Sequence, residues 1–180
     1  TTVELTDVTL PSSGEQILRL DFNGKYFNVN WIDFVDTGTT ATDQQPFGGT
    51  AWPVPGRVAA EDFDTGGEGV AYHDTTTSNK GGSYRDTAVD IQPVDDSSGE
   101  YNVGWIEDGE WLAYTVDVTE PDSTYAIQFR VAGKNGSASI DVSLGGKSLG
   151  TVDVPDTGGW QSWTTVKLTD VTLPGSGEQI

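Results

Sequence analysis

The sequence predicts an all-β fold, a sandwich or barrel of short strands. Apolar and polar residues alternate over short runs, turn pairs such as Asn-Gly and Asp-Gly separate the runs, and no stretch repeats with the helical period. Leu18, Leu20 and Phe22 alternate with Arg19 and Asp21, and Asn23-Gly24 then supplies a tight hairpin turn. Residues 27–34 read as the return strand. Between Asp36 and Gly56, Gly, Thr, Pro and Gln deny both periods, so 36–56 reads as a linker whose Phe47 and Trp52 can dock on the domain. Residues 101–118 read as two strands around Asp108-Gly109. Tyr125, Ile127, Phe129 and Val131 alternate with Ala126, Gln128 and Arg130, which leaves one face wet. After the turn Lys134-Asn135-Gly136 the pattern resumes in Ile140, Val142 and Leu144.

An internal repeat sets the expected organisation. Residues 1–17, TTVELTDVTLPSSGEQI, return at 164–180 as TTVKLTDVTLPGSGEQI, differing only at Glu4/Lys167 and Ser12/Gly175. A recurrence at an offset of 163 residues reads as slightly more than one period of a tandem array. Residues 1–35 are then the final strands of a module, 36–56 a linker, 57–163 the module body, and 164–180 the start of the next repeat. The strands occur in circularly permuted order. The two copies cannot share one slot in one module. Either a permuted monomer or a strand-swapped oligomer is expected, since unpaired Val166, Leu168, Val171 and Leu173 would favour association.

Composition narrows the function. At 180 residues the chain can bury one real core. Twenty-eight acidic residues against nine basic give a net charge of −19, which argues against nucleic acid, whose phosphates need Lys and Arg. The acidic residues read mainly as a solvated, self-repelling surface. No segment approaches transmembrane length, so no membrane partner is expected. Zero cysteines exclude disulfides and thiolate metal sites.

Five blocks carry a family resemblance. RVAAEDFDTGGEGVAYHDTT (57–76), GGSYRDTAVDI (81–91), YNVGWIEDGEWLAYTV (101–116), TGGWQSW (157–163) and FNVNWIDF (27–34) together resemble family 6 carbohydrate-binding modules, in cyclically correct order. The resemblance implies a galactose-binding-like β-sandwich jelly roll. It also implies secretion to the extracellular space, a linked glycoside hydrolase, and non-catalytic binding of polysaccharide or oligosaccharide in a cleft among the loops. In that family the FN-x-NWI block closes the module, whereas here it stands near the N-terminus.

Sugar recognition has physical requirements. A pyranose offers a C–H face that stacks on an aromatic plane and rim hydroxyls that need directional partners. By resemblance, Tyr84 and Trp160 form the clamp, Asn28 hydrogen-bonds the sugar and Glu68 accepts from a hydroxyl. Trp160 follows Gly158 and Gly159, which suits display on a loop. Trp31, Trp105, Trp111 and Tyr114 lie in dense strand patterns and read as core. The family also uses a structural Ca²⁺ held by an E-x-E pair and a late acidic residue. Here the pair reads Ala59-Ala60-Glu61, leaving Glu61 and Asp33 as the expected ligands.

No enzyme signature appears. A glycosidase needs two carboxylates about 5 to 10 Å apart in a cleft, and no block resembles a hydrolase. His73 is the lone histidine, which removes histidine-rich zinc motifs, and no nucleophile elbow supports a triad. The expected ligand is β-1,3-glucan, gripped at chain ends. Agarose and xylan are alternatives, as is a structural or adhesive repeat with a degenerate cleft.

Overall fold

The computed structural model describes residues 44–180, except 98, 121, 122 and 137, together with Asn28 and Asn30. The chain divides into two compact units, residues 1–41 and 42–180. In the first unit Asn28 and Asn30 are exposed, and the expected hairpin around Asn23-Gly24, the strand at 27–34 and Trp31 lie outside the described residues.

The second unit is all-β. Its strands are β1 (Trp52–Val54), β2 (Tyr72–His73), β3 (Ile91–Pro93), β4 (Tyr101–Val103), β5 (Trp111–Leu112), β6 (Val116–Val118), β7 (Thr124–Val131), β8 (Ala138–Leu144), β9 (Lys147–Val154), β10 (Thr164–Thr172) and β11 (Gly177–Gln179). Among the described residues the only helical pieces are two three-residue 3₁₀ turns at Phe47–Gly49 and Ala60–Asp62. Strands β1, β6 and β11 form one sheet, with β1 parallel and β11 antiparallel to β6. The pairs β7–β10, β8–β9, β2–β5 and β3–β4 are all antiparallel.

The second copy of the repeat is built into these sheets. β10 pairs with β7 along its length, and β11 pairs with β6. The register shifts between Leu168 and Val171, where Asp170 takes a left-handed φ of 59°. One extra residue resets the alternation, so Leu168, Val171 and Leu173 all turn inward despite their uneven spacing. Residues 52–54, expected in the linker, instead form β1. Trp52 N donates to the Thr115 carbonyl at 3.0 Å, because the open edge of β6 offers that acceptor.

Residues 101–118 depart from the expected two-strand arrangement. β4 pairs with β3 and β5 with β2, so no hairpin forms between them. Gly104 N donates to the Asp90 carbonyl at 2.9 Å, and Trp105 follows in a left-handed conformation at φ 50°, which turns the chain away from β4. A hairpin does form between β8 and β9. Gly145 and Gly146 both have positive φ, 54° and 73°, as a two-residue primed turn requires.

Two apolar clusters make the core. Phe63, Ala71, Tyr72, Val89 and Ile91 form the first, backed by Tyr101, Val103, Leu112 and Tyr114. Val118, Leu144, Val171 and Leu173 form the second, backed by Val116, Tyr125, Ile127 and Leu168. Tyr114 is in the core as expected, its hydroxyl donating to the Ala60 carbonyl at 2.9 Å. Trp105 and Trp111 are not, at 47% and 42% exposed. One lies on the turn after β4 and the other on the outward face of β5.

Candidate functional site

Two loops beside the first core cluster build a cleft. Loop 79–85 is organised by Asn79, whose Oδ1 accepts from Ile91 N at 2.8 Å and Gly82 N at 2.9 Å. Its Nδ2 donates to the carbonyls of Ser83 and Arg85 at 2.9 and 3.1 Å. Gly81 permits this approach, since a Cβ there would stand 2.0 Å from the Ile91 carbonyl oxygen. No family block singled out Asn79, although an Asn two residues before Gly-Gly is a turn signal.

That loop displays Tyr84, held at φ 67°, a conformation that costs a non-glycine residue about 1–3 kcal/mol. Its ring lies 4.9 Å from that of Tyr101 and 5.9 Å from that of Phe47, and 47% of the residue remains exposed. The phenol donates to Asp62 Oδ1 at 2.5 Å. That bond, with burial and the Asp62 charge, pushes the phenol pKa up to about 12.

Glu68 stands on a glycine-rich loop in which Gly66, Gly67 and Gly69 all have positive φ. Gly69 N donates to the Tyr72 carbonyl at 2.7 Å and closes the loop. Glu68 Oε2 accepts from Asp74 N at 3.0 Å, while Oε1 pairs with His73 Nδ1. Glu68 and Tyr84 line one cleft of about 890 Å³, with Thr75, Thr76 and Ser78 supplying hydroxyls. Neutral hydroxyls beside a carboxylate and an aromatic face match the requirements of a sugar.

His73 makes this corner sensitive to pH. The hydrogen bond to Glu68 outweighs slight desolvation, and it holds the imidazole pKa above the usual 6.5. The folded chain therefore holds this proton more tightly than the unfolded chain. The contact stabilises below about pH 6.5 and is lost as pH rises through the higher folded value. With a single histidine, proton NMR reads this without assignment. We expect a titration midpoint above 6.5 that falls back in Glu68→Gln. A midpoint at or below 6.5, or one unmoved by the substitution, contradicts the contact.

Trp160 is 62% exposed, after Gly158 at φ 84°. The next residue anchors its loop: Gln161 Nε2 donates to Asn102 Oδ1 at 3.2 Å, and Gln161 Oε1 accepts from Asp95 N at 2.9 Å. Trp163 Nε1 donates to the same Oε1 at 3.1 Å. Tyr84 rests on Tyr101 and the Trp160 loop hangs from Asn102, so consecutive residues of β4 support both. Trp160 is not among the residues lining the 890 Å³ cleft. Asn28 is exposed and belongs to the first unit.

Glu61 is 7% exposed, and burial raises its carboxyl pKa, with Asp62 and Glu100 adding to the shift. Among the described residues no three His, Cys, Asp or Glu side chains gather as a metal group. Asp33 lies outside the described residues.

Fold and site together fit a sugar-binding β-sandwich. The model of the carbohydrate-binding module (family 6) matches residues 82–179, more than half of the chain. The chain belongs to that family, whose members bind carbohydrate without cleaving it. A solved β-1,3-glucan-binding family 6 module from Bacillus halodurans superposes with a TM-score of 0.51 at 28% identity, covering 72% of this chain and 84% of that one. The Clotting factor G alpha subunit of Tachypleus tridentatus is 42% identical over 91 residues, 48% of this chain and 13% of that protein. A cycloisomaltooligosaccharide glucanotransferase of Niallia circulans is 35% identical over 71 residues, 39% of this chain and 7% of that protein. The matched stretch is thus a small part of both relatives. Among the described residues no helix is long and apolar enough to cross a membrane.

Proposed function

We propose that the chain binds β-1,3-glucan at chain ends and targets a linked glycoside hydrolase to it outside the cell. The observation that supports this best is the likeness to the Bacillus halodurans module, named as β-1,3-glucan binding, together with a hydroxyl-rich cleft holding Tyr84 and Glu68. Tyr84 and Trp160 stack on the sugar faces, and Glu68 accepts from a hydroxyl. Tethering keeps the enzyme at millimolar effective concentration over an insoluble substrate. The near-identical segments 1–17 and 164–180 favour a tandem array, in which repeated clefts add avidity. A monomer, closed within one chain, is the favoured assembly. Affinity gels carrying laminarin, agarose or xylan test the ligand. Strong retardation in laminarin with little in the others is expected. Preferential retardation in agarose or xylan reassigns the glycan, and free migration in all three removes the binding role.

We also propose that Glu61 is a ligand of a structural Ca²⁺. Burial of the Glu61 carboxylate beside other acids, with the cost that entails, supports a cation there. Saturation at a hundredfold over Kd stabilises by about 2.7 kcal/mol. Melting is expected to fall when Ca²⁺ is exchanged for EDTA, and Glu61→Ala should abolish that response. Identical melts with and without calcium discard the site.

A further inference from the structure

The charges around the cleft are one-sided. Glu68, Asp74 and Asp86 line it, and Arg85 is the only cationic side chain among the described residues that do. Beyond the lining, Asp62 accepts from the Tyr84 phenol and Glu110 accepts from Thr75 on the cleft wall. Glu68 and Asp86 are exposed, so their charge faces whatever enters.

Each basic side chain between residues 72 and 88 is already engaged by the protein. Arg85 forks to the carbonyls of Glu61, Phe63 and Asp64 and lies against the rings of Phe63 and Phe47. Lys80 Nζ lies 3.6 Å from Oδ2 of the buried Asp90, whose Oδ1 accepts from the Lys80 amide. His73 Nδ1 pairs with Glu68. A sulfate or uronate entering the cleft would have to displace one of these partners while meeting three carboxylates at once.

We infer that the cleft selects neutral glycans and rejects sulfated or uronate-bearing chains of the same backbone, with Asp86 among the residues that enforce the rejection. The inference rests on the proposed sugar-binding role and narrows its ligand class. Sugar hydroxyls donate to carboxylates, so the same groups receive a neutral ring and repel an anionic one. In water, a unit charge about 7 Å from a carboxylate loses roughly threefold in affinity, hence roughly tenfold or more for three carboxylates.

Calorimetric titration of the full chain with laminarin and with lightly O-sulfated laminarin tests this, and agarose and xylan oligosaccharides with their sulfated forms run in parallel. For the backbone that binds, the parent should prefer the neutral form roughly tenfold at about 0.01 M salt, and the gap should nearly close at about 1 M, where the Debye length is about 3 Å. Asp86→Asn should narrow the low-salt gap roughly threefold with parent-like melting, whereas Glu178→Gln, on exposed β11 away from the cleft lining, should leave it unchanged. Equal or tighter binding of the sulfated form overturns the inference. A gap that survives high salt and Asp86→Asn means steric exclusion and overturns it too, as does equal narrowing by Glu178→Gln, which would assign the effect to net charge. Binding of neutral glycan with no such gap leaves the sugar-binding role intact, whereas absence of parental binding to every neutral glycan overturns both.

Discussion

Arg85→Ala is expected to lose about 3–4 kcal/mol of stability and most glycan binding with it, read by chemical denaturation and by retardation in a glycan gel. The Arg85 guanidinium lies 3.7 Å from the ring centre of Phe63 and 4.6 Å from that of Phe47. Its Nη1 donates to the carbonyls of Glu61, at 3.3 Å, and of Phe63, while Nη2 donates to that of Asp64 at 3.2 Å. Burial draws its pKa down, and Tyr84 and Asp62 act against that shift. Three carbonyls lose a charged donor on truncation, and two rings lose a cation. Tyr84, the preceding residue, loses its anchor at the same stroke. Arg85→Lys should recover little, because an ammonium on a flexible stem cannot fork to three carbonyls while lying flat on a ring. A parent-like denaturation midpoint in Arg85→Ala would show that the clasp is dispensable.

Asp64→Ala should cost about 3 kcal/mol or more, without any change to a cleft-lining residue. Asp64 is fully buried. Its Oδ1 accepts from Thr115 N at 2.9 Å, and Oδ2 accepts from Thr115 Oγ1 at 2.6 Å and Gln44 Nε2 at 2.8 Å. Alanine leaves the buried Thr115 amide and hydroxyl without acceptors, and such orphaned donors bear the full desolvation cost. Asp64→Asn keeps the shape but turns an N–H₂ toward one set of donors, so about half the loss is expected. Melting curves distinguish the two variants. If Asp64→Ala melts with the parent, the network contributes nothing net.

These two residues show what was hard to read beforehand. Both lie within blocks whose family resemblance drew attention to neighbours, yet nothing local marks them as hubs. Arg85 reaches back more than twenty positions to the carbonyls at 61–64, and Asp64 reaches Gln44 and Thr115, each twenty or more residues away. Asn79 is similar, since the partner that makes it a scaffold is the amide of Ile91. Glu68 and Tyr84, singled out by blocks that carry the resemblance, line one cleft. Trp105 and Trp111 were misread as core because alternation tells which residues share a face but not which face is covered.

Period-two alternation and turn pairs sufficed to establish an all-β chain, because side-chain direction in a strand is a local property. The blocks at 57–76, 81–91, 101–116 and 157–163 sufficed to point at a sugar-binding family. Only the tertiary structure decided that 164–180 fills sheet positions beside β7 and β6, that residues 52–54 join β6, and that β4 and β5 find different partners. Strand pairing is a competition between distant segments for the same backbone donors and acceptors. Its outcome depends on every edge the fold presents at once.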